Sequence, residues 1–176
     1  MKKAGADNGT IKVQTPIGEN EIKRLRIGDR IEIYGFIYCG RDAVLPKLVR
    51  LIESDVSYTS TLNLRGAVIF HTAVSPAGIG PTTSNKVEIE GSMPMLSKAG
   101  VKLHVGKGAL SVNTVSELSK HNSVFAIAPP TSALFSDRIL HQRIVLFREE
   151  GMEALYELKV KGLPAIIAVA HGESIF

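Results

Sequence analysis

The segment RGAVIFHTAV, residues 65–74, restricts the fold of this 176-residue chain more than any other feature. It is apolar and rich in β-branched residues, and its polar and apolar positions do not alternate, which indicates a strand buried on both faces. Strands of this kind occur in parallel sheets that helices cover on either side. The segment therefore predicts an α/β protein, and the chain length suits one well-buried domain.

Strand and helix patterns alternate on both sides of that segment. The start of the chain is mainly β, with strands predicted over 10–17 and 30–38 around a short helix and a turn. The capping-box spacing of Thr114 and Glu117 predicts the start of a later helix. The other predicted elements are helices over 43–53, 114–121 and 131–137 and one that ends at Lys98-Ala99 before Gly100, a loop over 75–81, a turn of helix within GMEALYEL, and strands over 101–105, 123–128, 139–147 and 164–170.

The composition argues against several classes of protein. The formal net charge is +4, Trp is absent, and the chain has no run of five or six basic residues, so we predict no nucleic-acid partner. No apolar run reaches the roughly 18 residues that a membrane span needs. No apolar stretch follows the two N-terminal lysines, as it would in a signal peptide. We therefore expect a cytoplasmic protein without membrane contact, with a flexible leader over residues 1–9.

The cysteine and histidine content limits the cofactors that the chain can hold by itself. Cys39 is the only cysteine, which excludes an internal disulfide and a self-contained iron–sulfur site. Its apolar surroundings predict a buried, inert thiol. The five histidines lack metal-ligand spacing such as HxxxH, so we assign no metal to this chain. His71 and His171 lie near the ends of predicted strands and are the two histidines that could contribute to a site.

Three junctions that follow predicted strands or loops carry unusual polar groups. They are Arg41-Asp42, the segment Thr82-Thr83-Ser84 with Lys86, and Gly106-Lys107-Gly108. Ligands gather at the carboxyl ends of strands in open α/β sheets, so these junctions can converge. Hydroxyls, backbone N–H groups and cations together suit a small carboxylate substrate. Each group alone also fits an ordinary helix cap, a surface ion pair or a solvated lysine.

The strings GRDAVLPKL, GPTTS, VGKG and REEGMEALYEL…LPAIIAVAHG resemble the C-terminal domain, or β subunit, of the iron–sulfur fumarate hydratases and tartrate dehydratases. The resemblance covers the chain from about residue 10 to His171-Gly172. It implies a swivelling β/β/α domain over residues 10–176, with a mixed sheet and flanking helices. It also implies a separate α subunit whose three cysteines hold a 4Fe–4S cluster. By this resemblance the present chain binds no cluster and is inactive until the two subunits pair.

The resemblance implies a role for six residues of the three junctions. Thr82 matches the threonine proposed as the catalytic base, and Lys107 matches the lysine that faces the substrate. Arg41 matches an arginine that grips a substrate carboxylate. The implied substrate-binding residues are Arg41, Thr83, Ser84 and Lys86.

Two positions differ from the family pattern and bear on the substrate. Lys86 replaces an arginine, and a lysine offers a point charge where an arginine offers a bidentate fork. Leu45-Pro46 replaces a histidine and a basic residue. The implied reaction is the reversible hydration of fumarate, a small dicarboxylate, to (S)-malate by a homo-oligomer of the αβ unit. The alternatives are a tartrate dehydratase β subunit and a non-catalytic anion-binding or regulatory domain of the same fold.

Overall fold

The computed structural model describes residues 9–54, 62–75, 78–82, 86–129 and 136–176. Its strands in chain order are β1 (Ile11–Gln14), β2 (Arg30–Cys39), β3 (Val68–Phe70), β4 (Thr72–Ser75), β5 (Gly78–Thr82), β6 (Leu103–Gly106), β7 (Val124–Ile127), β8 (Ile139–Leu146), β9 (Leu155–Ala170) and β10 (Glu173–Ser174). Its helices are α1 (Glu19–Arg24), α2 (Leu45–Glu53), α3 (Lys86–Lys98), α4 (Val112–Lys120) and a 3-10 helix over Arg148–Glu153. These elements confirm the predicted α/β class.

Strand β9 connects the parts of the main sheet. It pairs antiparallel with β2 from Arg30↔Ile166 to Cys39↔Tyr156, and it also pairs with β7, β8 and β10. Strands β2, β3, β6 and β7 pair in parallel in that order. Because β9 contacts both β2 and β7, the path β2-β3-β6-β7-β9 closes on itself. The result is the predicted mixed sheet with flanking helices, and a separate small sheet joins β4 to β5.

The side chains of β3 show how the sheet separates two environments. Val68 and Phe70 belong to the central core with residues of β2, β6 and β9. Ile69, between them, packs in a second cluster with Leu48 of α2. A third cluster joins α3 and α4 to Phe125 of β7. Successive residues of a strand point to opposite faces, so each of these strands contributes both to the central core and to the helical side.

Three parallel strands end at the same edge of the sheet. Phe70 of β3 pairs with Cys39 of β2 on one side and with Val105 of β6 on the other. Neighbouring strands lie about 4.8 Å apart, so the residues that follow them start close together. We call this edge the carboxyl edge. The residues that continue the three strands there are Arg41, His71 and Lys107.

The hairpin β4–β5 corrects two predictions. The single strand predicted over 65–74 is interrupted at His71, and the loop predicted after it contains β5, which pairs antiparallel with β4. The sequence of β5, GIGPT, carries two glycines and a proline, which are typical of loops. Pairing with β4 overrides that local preference because it satisfies backbone hydrogen-bonding groups. It also brings the backbone of Thr82 opposite that of Thr72.

The start of α4 differs from the predicted capping box. The hydroxyl of Ser111 accepts a hydrogen bond from the Thr114 N–H (3.3 Å), so Ser111 is the N-cap residue and the helix begins at Val112. Serine is a favoured N-cap residue, and Thr114 lies three residues after it, at the position whose N–H an N-cap side chain reaches. The prediction that Thr114 caps this helix is therefore wrong.

The C-terminal part of the chain forms longer strands than the sequence predicts. β9 begins at Leu155 and includes the segment predicted as a strand over 164–170, and β10 has no counterpart among the predicted elements. Pairing with β2 and β8 supports the extra length. Most of the leader and most of the helix predicted over 131–137 lie outside the described residues. Within the described part, no helix has both the length and the apolar character needed to cross a membrane.

Gly100 follows α3, and a substitution at this position tests the close packing at the end of that helix. Its φ is +122°, and a Cβ at this position would lie 2.9 Å from Arg65 Cα. We expect Gly100→Ala to lower the free energy of unfolding by at least about 1 kcal/mol, because the added carbon meets backbone that cannot rotate away.

Gly91→Ala is the matched control for this experiment. Gly91 lies within α3, and no atom lies within 4 Å of its Cβ position, so the change should be neutral or should raise stability. Urea unfolding of the two variants measures the difference. Equal losses of stability would show that the end of α3 is not packed in this way.

Candidate active site

A pocket of about 210 Å³ lies at the carboxyl edge. Its wall is formed by the end of β6 and the loop after it, part of α3, one residue of β7 and the junction of β3 and β4. We call it the Lys107 pocket. Among the described residues, its polar side chains are His71, Glu90 and Lys107, and its other lining residues are Ile89, Met93, Gly106, Gly108, Ala109, Leu110 and Phe125. A mainly apolar wall with a few polar groups is typical of a small-molecule site.

Two glycines shape the loop that carries Lys107. At Gly106 a Cβ would lie 3.2 Å from the Phe125 ring and 3.9 Å from the Cβ of His71. Gly108 has a φ of +79°, a conformation that residues with side chains rarely adopt. The glycines therefore allow the backbone to turn beside the pocket, as the sequence indicates. The side chain of Lys107 is exposed and lines the pocket.

Glu90 connects the two helices at the pocket. Its carboxylate accepts a hydrogen bond of 2.5 Å from the Ser111 N–H, at the N-terminus of α4. The partial positive charge of a helix N-terminus stabilises a carboxylate at this position. The negative charge of Glu90 is therefore stabilised by the N-terminus of α4. Among the described residues of the pocket wall, Lys107 carries the one positively charged side chain.

The side chain of Arg41 is not part of the wall of the Lys107 pocket. Its Nε donates a hydrogen bond to Glu153 Oε2 (2.9 Å), its Nη2 binds the other oxygen of that carboxylate, and Asp42 Oδ1 lies 3.7 Å from Nε. The hydrogen bonds to Glu153 raise the pKa of Arg41. The backbone of Arg41 thus lies at the carboxyl edge, but its guanidinium binds a carboxylate of the chain itself.

Glu153 is a partner of Arg41 that sequence analysis missed. It belongs to the 3-10 helix, and a second ion pair, between Lys47 of α2 and Glu150, also ties this helix to the residues after β2. Arg41 and Glu153 are 112 positions apart, so no local spacing connects them. The signal in the sequence was the GMEA string, which contains Glu153 and contributes to the family resemblance.

The hydroxyl-bearing segment connects β5 to α3, the helix that supplies part of the pocket wall. Thr82 ends β5, and α3, which supplies part of the wall, begins at Lys86. The register Thr72↔Thr82 puts the Thr82 backbone at the carboxyl edge. Only the backbone of Thr82 and of Lys86 belongs to the described structure, and Thr83 and Ser84 lie outside the described residues. Their roles therefore stay predictions.

A buried histidine of the pocket wall, His71, contacts a second buried histidine, His104, and sequence analysis singled out only His71 of the two. His71 is 1% exposed and His104 is fully buried. His71 Nε2 lies 3.0 Å from His104 Nδ1, and His104 Nε2 lies 2.9 Å from the hydroxyl oxygen of Ser97. Burial lowers the pKa of His71 to about 3, and burial together with the proximity of His71 holds the pKa of His104 well below its usual range. Both rings are therefore neutral at physiological pH.

The remaining chemically interesting side chains lie away from the pocket. His171 Nε2 is 2.8 Å from the carbonyl oxygen of Leu25, and His171 does not line the pocket. Cys39 is the predicted buried thiol, and burial raises its pKa. Among the described residues no group of three His, Cys, Asp or Glu side chains could hold a metal ion. One cysteine does not fit the ligand set of a 4Fe–4S cluster, so no step is assigned to a cluster on this chain.

Comparison with known proteins identifies the family of this chain. The family model described as Fumarase C-terminus matches residues 1–176, so the chain belongs to that family. The chain is 29% identical over 184 residues to the "Putative fumarate hydratase class I" of Geobacillus stearothermophilus, an alignment that covers 97% of this chain and 34% of that protein. The chain therefore spans about a third of the length of this relative.

Two relatives of more similar length are tartrate dehydratase subunits. The chain is 30% identical over 175 residues to the "Putative L(+)-tartrate dehydratase subunit beta" of Methanocaldococcus jannaschii, in an alignment that covers 90% of this chain and 87% of that protein. It is 29% identical over 174 residues to the L(+)-tartrate dehydratase subunit beta of Escherichia coli strain K12, in an alignment that covers 92% of this chain and 84% of that protein.

The buried histidines predict a loss of stability in acid. In the unfolded chain an imidazole binds a proton near pH 6.5, whereas the folded state keeps His71 and His104 neutral to a much lower pH. Unfolding therefore takes up protons below about pH 6.5. The free energy of unfolding should fall by about 1.4 kcal/mol per pH unit for each ring until the pH reaches the folded-state pKa.

Substitution of one ring isolates this contribution. We expect His71→Gln to reduce the dependence of stability on pH between about 6 and 4 by roughly 1.4 kcal/mol per unit, because one ring no longer titrates. His141→Gln, at an exposed histidine outside the buried pair, is the matched control for the substitution itself. Urea unfolding at several pH values gives both slopes. Identical slopes for His71→Gln and the unaltered chain would contradict the neutral state of His71.

Proposed function

We propose that the chain is the β-subunit part of an iron–sulfur hydro-lyase that interconverts fumarate and (S)-malate. In this proposal a separate α subunit carries three cysteines that bind a 4Fe–4S cluster. The present chain supplies groups that bind the dicarboxylate and move a proton. The observation that carries the proposal is the exposed Lys107 beside a pocket at the carboxyl edge, in a chain of the Fumarase C-terminus family.

The hydration of fumarate requires a cation and a proton-transfer group. Hydration adds a hydroxyl group to one carbon of the fumarate double bond and a proton to the other, and dehydration reverses both additions and releases one water. The proton leaves the carbon next to a carboxylate, so negative charge develops there, and a cation at that carboxylate stabilises it. Lys107, the cation of the described pocket wall, would bind this carboxylate.

Thr82 is the proposed proton-transfer residue. A threonine hydroxyl is a weak base, and a nearby ammonium group favours its alkoxide form. The backbones of Thr82 and Lys107 both lie at the carboxyl edge, which supports a role for Lys107 in activating Thr82. Thr83 and Ser84, in the same segment, complete the hydroxyl groups proposed for substrate binding.

Arg41 and Lys86 are the cations proposed for the second carboxylate of the substrate. The guanidinium of Arg41 is paired with Glu153, so a substrate carboxylate must replace Glu153 or share the guanidinium with it.

Dehydration of tartrate to oxaloacetate is the second candidate reaction. The observation that favours it is that the relatives of matching length bear the name of tartrate dehydratase subunits. A non-catalytic anion-binding or regulatory domain is the third candidate. It is favoured by Lys86 in place of the family arginine and by the pairing of Arg41 with Glu153.

Anaerobic co-expression with a cysteine-bearing partner distinguishes these candidates. We expect the two chains to copurify and the complex to hydrate fumarate with a kcat/KM at least about tenfold above that for tartrate, a difference of about 1.4 kcal/mol in transition-state binding. A preference for tartrate would select the second reaction. A complex with neither activity would select the non-catalytic domain, and failure to copurify would overturn the two-subunit proposal.

Substitutions at Lys107 and Thr82 separate substrate binding from proton transfer. Lys107→Ala should raise KM about tenfold to a hundredfold, because it removes a charge-assisted hydrogen bond, whereas Lys120→Ala, at an exposed lysine paired with Glu117, should not. Thr82→Ala should lower kcat by at least about a hundredfold, and Thr82→Ser should retain most of the activity. Steady-state kinetics of the four variants measures both effects. Near-normal turnover in Thr82→Ala would remove this residue from the proposed catalytic set.

A further inference from the structure

Ser97, His104 and His71 form a buried hydrogen-bonded chain that the proposed function does not use. These hydrogen bonds connect α3 through β6 to the wall of the Lys107 pocket. Ser97 Oγ lies 2.9 Å from His104 Nε2, and His104 Nδ1 lies 3.0 Å from His71 Nε2. The three residues are at most 2% exposed. Buried polar groups in such a chain need partners, so the proton positions along it are restricted.

Ser97 determines which ring nitrogens carry protons. Among the described residues its hydroxyl has one hydrogen-bond partner, His104 Nε2. If the hydroxyl donates, His104 Nε2 is unprotonated, the His104 Nδ1–H donates to His71 Nε2, and the remaining proton is on His71 Nδ1. If His104 Nε2–H donated to Ser97 instead, the buried hydroxyl hydrogen would have no acceptor among the described residues, which is unfavourable. The geometry therefore favours the order that ends in an N–H at His71 Nδ1.

His71 Nδ1 is the unpaired end of this series of hydrogen bonds. It is a buried atom without a hydrogen-bond partner in the described structure. Native proteins pair most buried N–H groups with protein atoms, water or a ligand, because an unmade hydrogen bond is unfavourable. His71 lines the Lys107 pocket, whereas His104 and Ser97 do not. A molecule bound in the pocket is therefore a suitable partner for this nitrogen.

We propose that His71 is a further substrate-binding residue, whose Nδ1–H donates a hydrogen bond to a carboxylate oxygen of the ligand in the Lys107 pocket. His104 and Ser97 are positioning residues, because they act through His71 by fixing its tautomer and the orientation of its ring. The inference rests on the proposed function for the class of ligand, a dicarboxylate.

An uncharged donor suits this position in the pocket wall. Burial keeps His71 neutral, so the ring offers a donor without adding a buried positive charge. The exposed Lys107 supplies the charge, and Glu90, the other charged group among the described lining residues, already accepts a hydrogen bond from the Ser111 N–H. A carboxylate can accept several hydrogen bonds, so His71 and Lys107 can bind the same group.

Nitrogen-15 NMR of the imidazole rings in the full chain tests the donor directly. We expect His71 and His104 to be neutral, with the proton on Nδ1 in both rings. Addition of fumarate should shift the His71 Nδ1–H resonance more than that of His104. Protons on Nε2 in both rings would overturn the inference, because His71 would then offer an acceptor, and so would the absence of any shift with fumarate.

Two amide substitutions form a matched pair at His71. Asparagine keeps a donor near the position of Nδ1, whereas glutamine keeps an amide near the position of Nε2 and loses the donor toward the pocket. In the complex with the partner subunit, His71→Gln should raise the KM for fumarate about tenfold to a hundredfold, the usual effect of a lost hydrogen bond to a charged group. His71→Asn should raise it less than tenfold, and kcat should change little in both.

Ser97→Ala tests the positioning role. It should raise KM and, in the NMR spectrum, should distribute the His104 proton over both ring nitrogens, because the hydroxyl no longer fixes it. Ser123→Ala, at a buried serine whose hydroxyl donates to the Val101 carbonyl oxygen, is the control and should do neither. An unchanged His104 tautomer in Ser97→Ala would overturn this role.

The outcomes separate this inference from the proposed function. Activity with an unchanged KM in His71→Gln would overturn the inference and leave the hydro-lyase proposal standing. Absence of activity, with fumarate still shifting the His71 Nδ1–H resonance, would overturn the proposed function and support the inference. If a His71 variant fails to fold by circular dichroism, the NMR measurement on the unaltered chain still decides.

Discussion

The parallel register of β2, β3 and β6 is the constraint on which the candidate site depends. Phe70 pairs with Cys39 on one side and with Val105 on the other, so the three strands end together. Because side chains alternate between the faces of a strand, a slip of one residue in β3 or β6 would turn His71 or His104 toward the central apolar core. An imidazole without polar partners is unfavourable there. The same register that packs the core therefore also fixes the polar groups of the carboxyl edge.

Helix α3 adds to this edge through one of its faces. Glu90, Met93 and Ser97 are three or four residues apart, which is the spacing of one helix face. Glu90 binds the N-terminus of α4, Met93 forms part of the apolar pocket wall, and Ser97 binds His104. A single packed face thus connects the loop around the pocket with the buried histidines. Movement of α3 would alter the pocket and the histidine chain together.

The class of fold could be predicted because it depends on local patterns. The buried strand patterns and the stop of α3 before Gly100 were visible in the sequence, since each depends on residues close together in the chain. Strand β5 could not be predicted from the sequence, because GIGPT has a loop-like composition and becomes a strand only by pairing with β4. The sequence predicts the cap of α4 three residues late, since Ser111 and Thr114 both suit an N-cap.

The candidate site was predictable where a residue carries its own local signal. Lys107 between two glycines gave such a signal, and the structure puts it at a pocket. The direction of the Arg41 side chain could not be predicted, because Glu153 is 112 positions away in the sequence. The contact of His71 with His104 was equally hidden, since it depends on the pairing of β3 with β6 and not on spacing along the chain.

A crystal structure of the chain with its cysteine-bearing partner and bound (S)-malate tests the central claim most directly. The claim is that the carboxyl edge binds a carboxylate of the ligand. The account predicts a malate carboxylate oxygen within hydrogen-bond distance, about 2.7–3.2 Å, of Lys107 Nζ. Malate bound with both carboxylates away from this edge would contradict it.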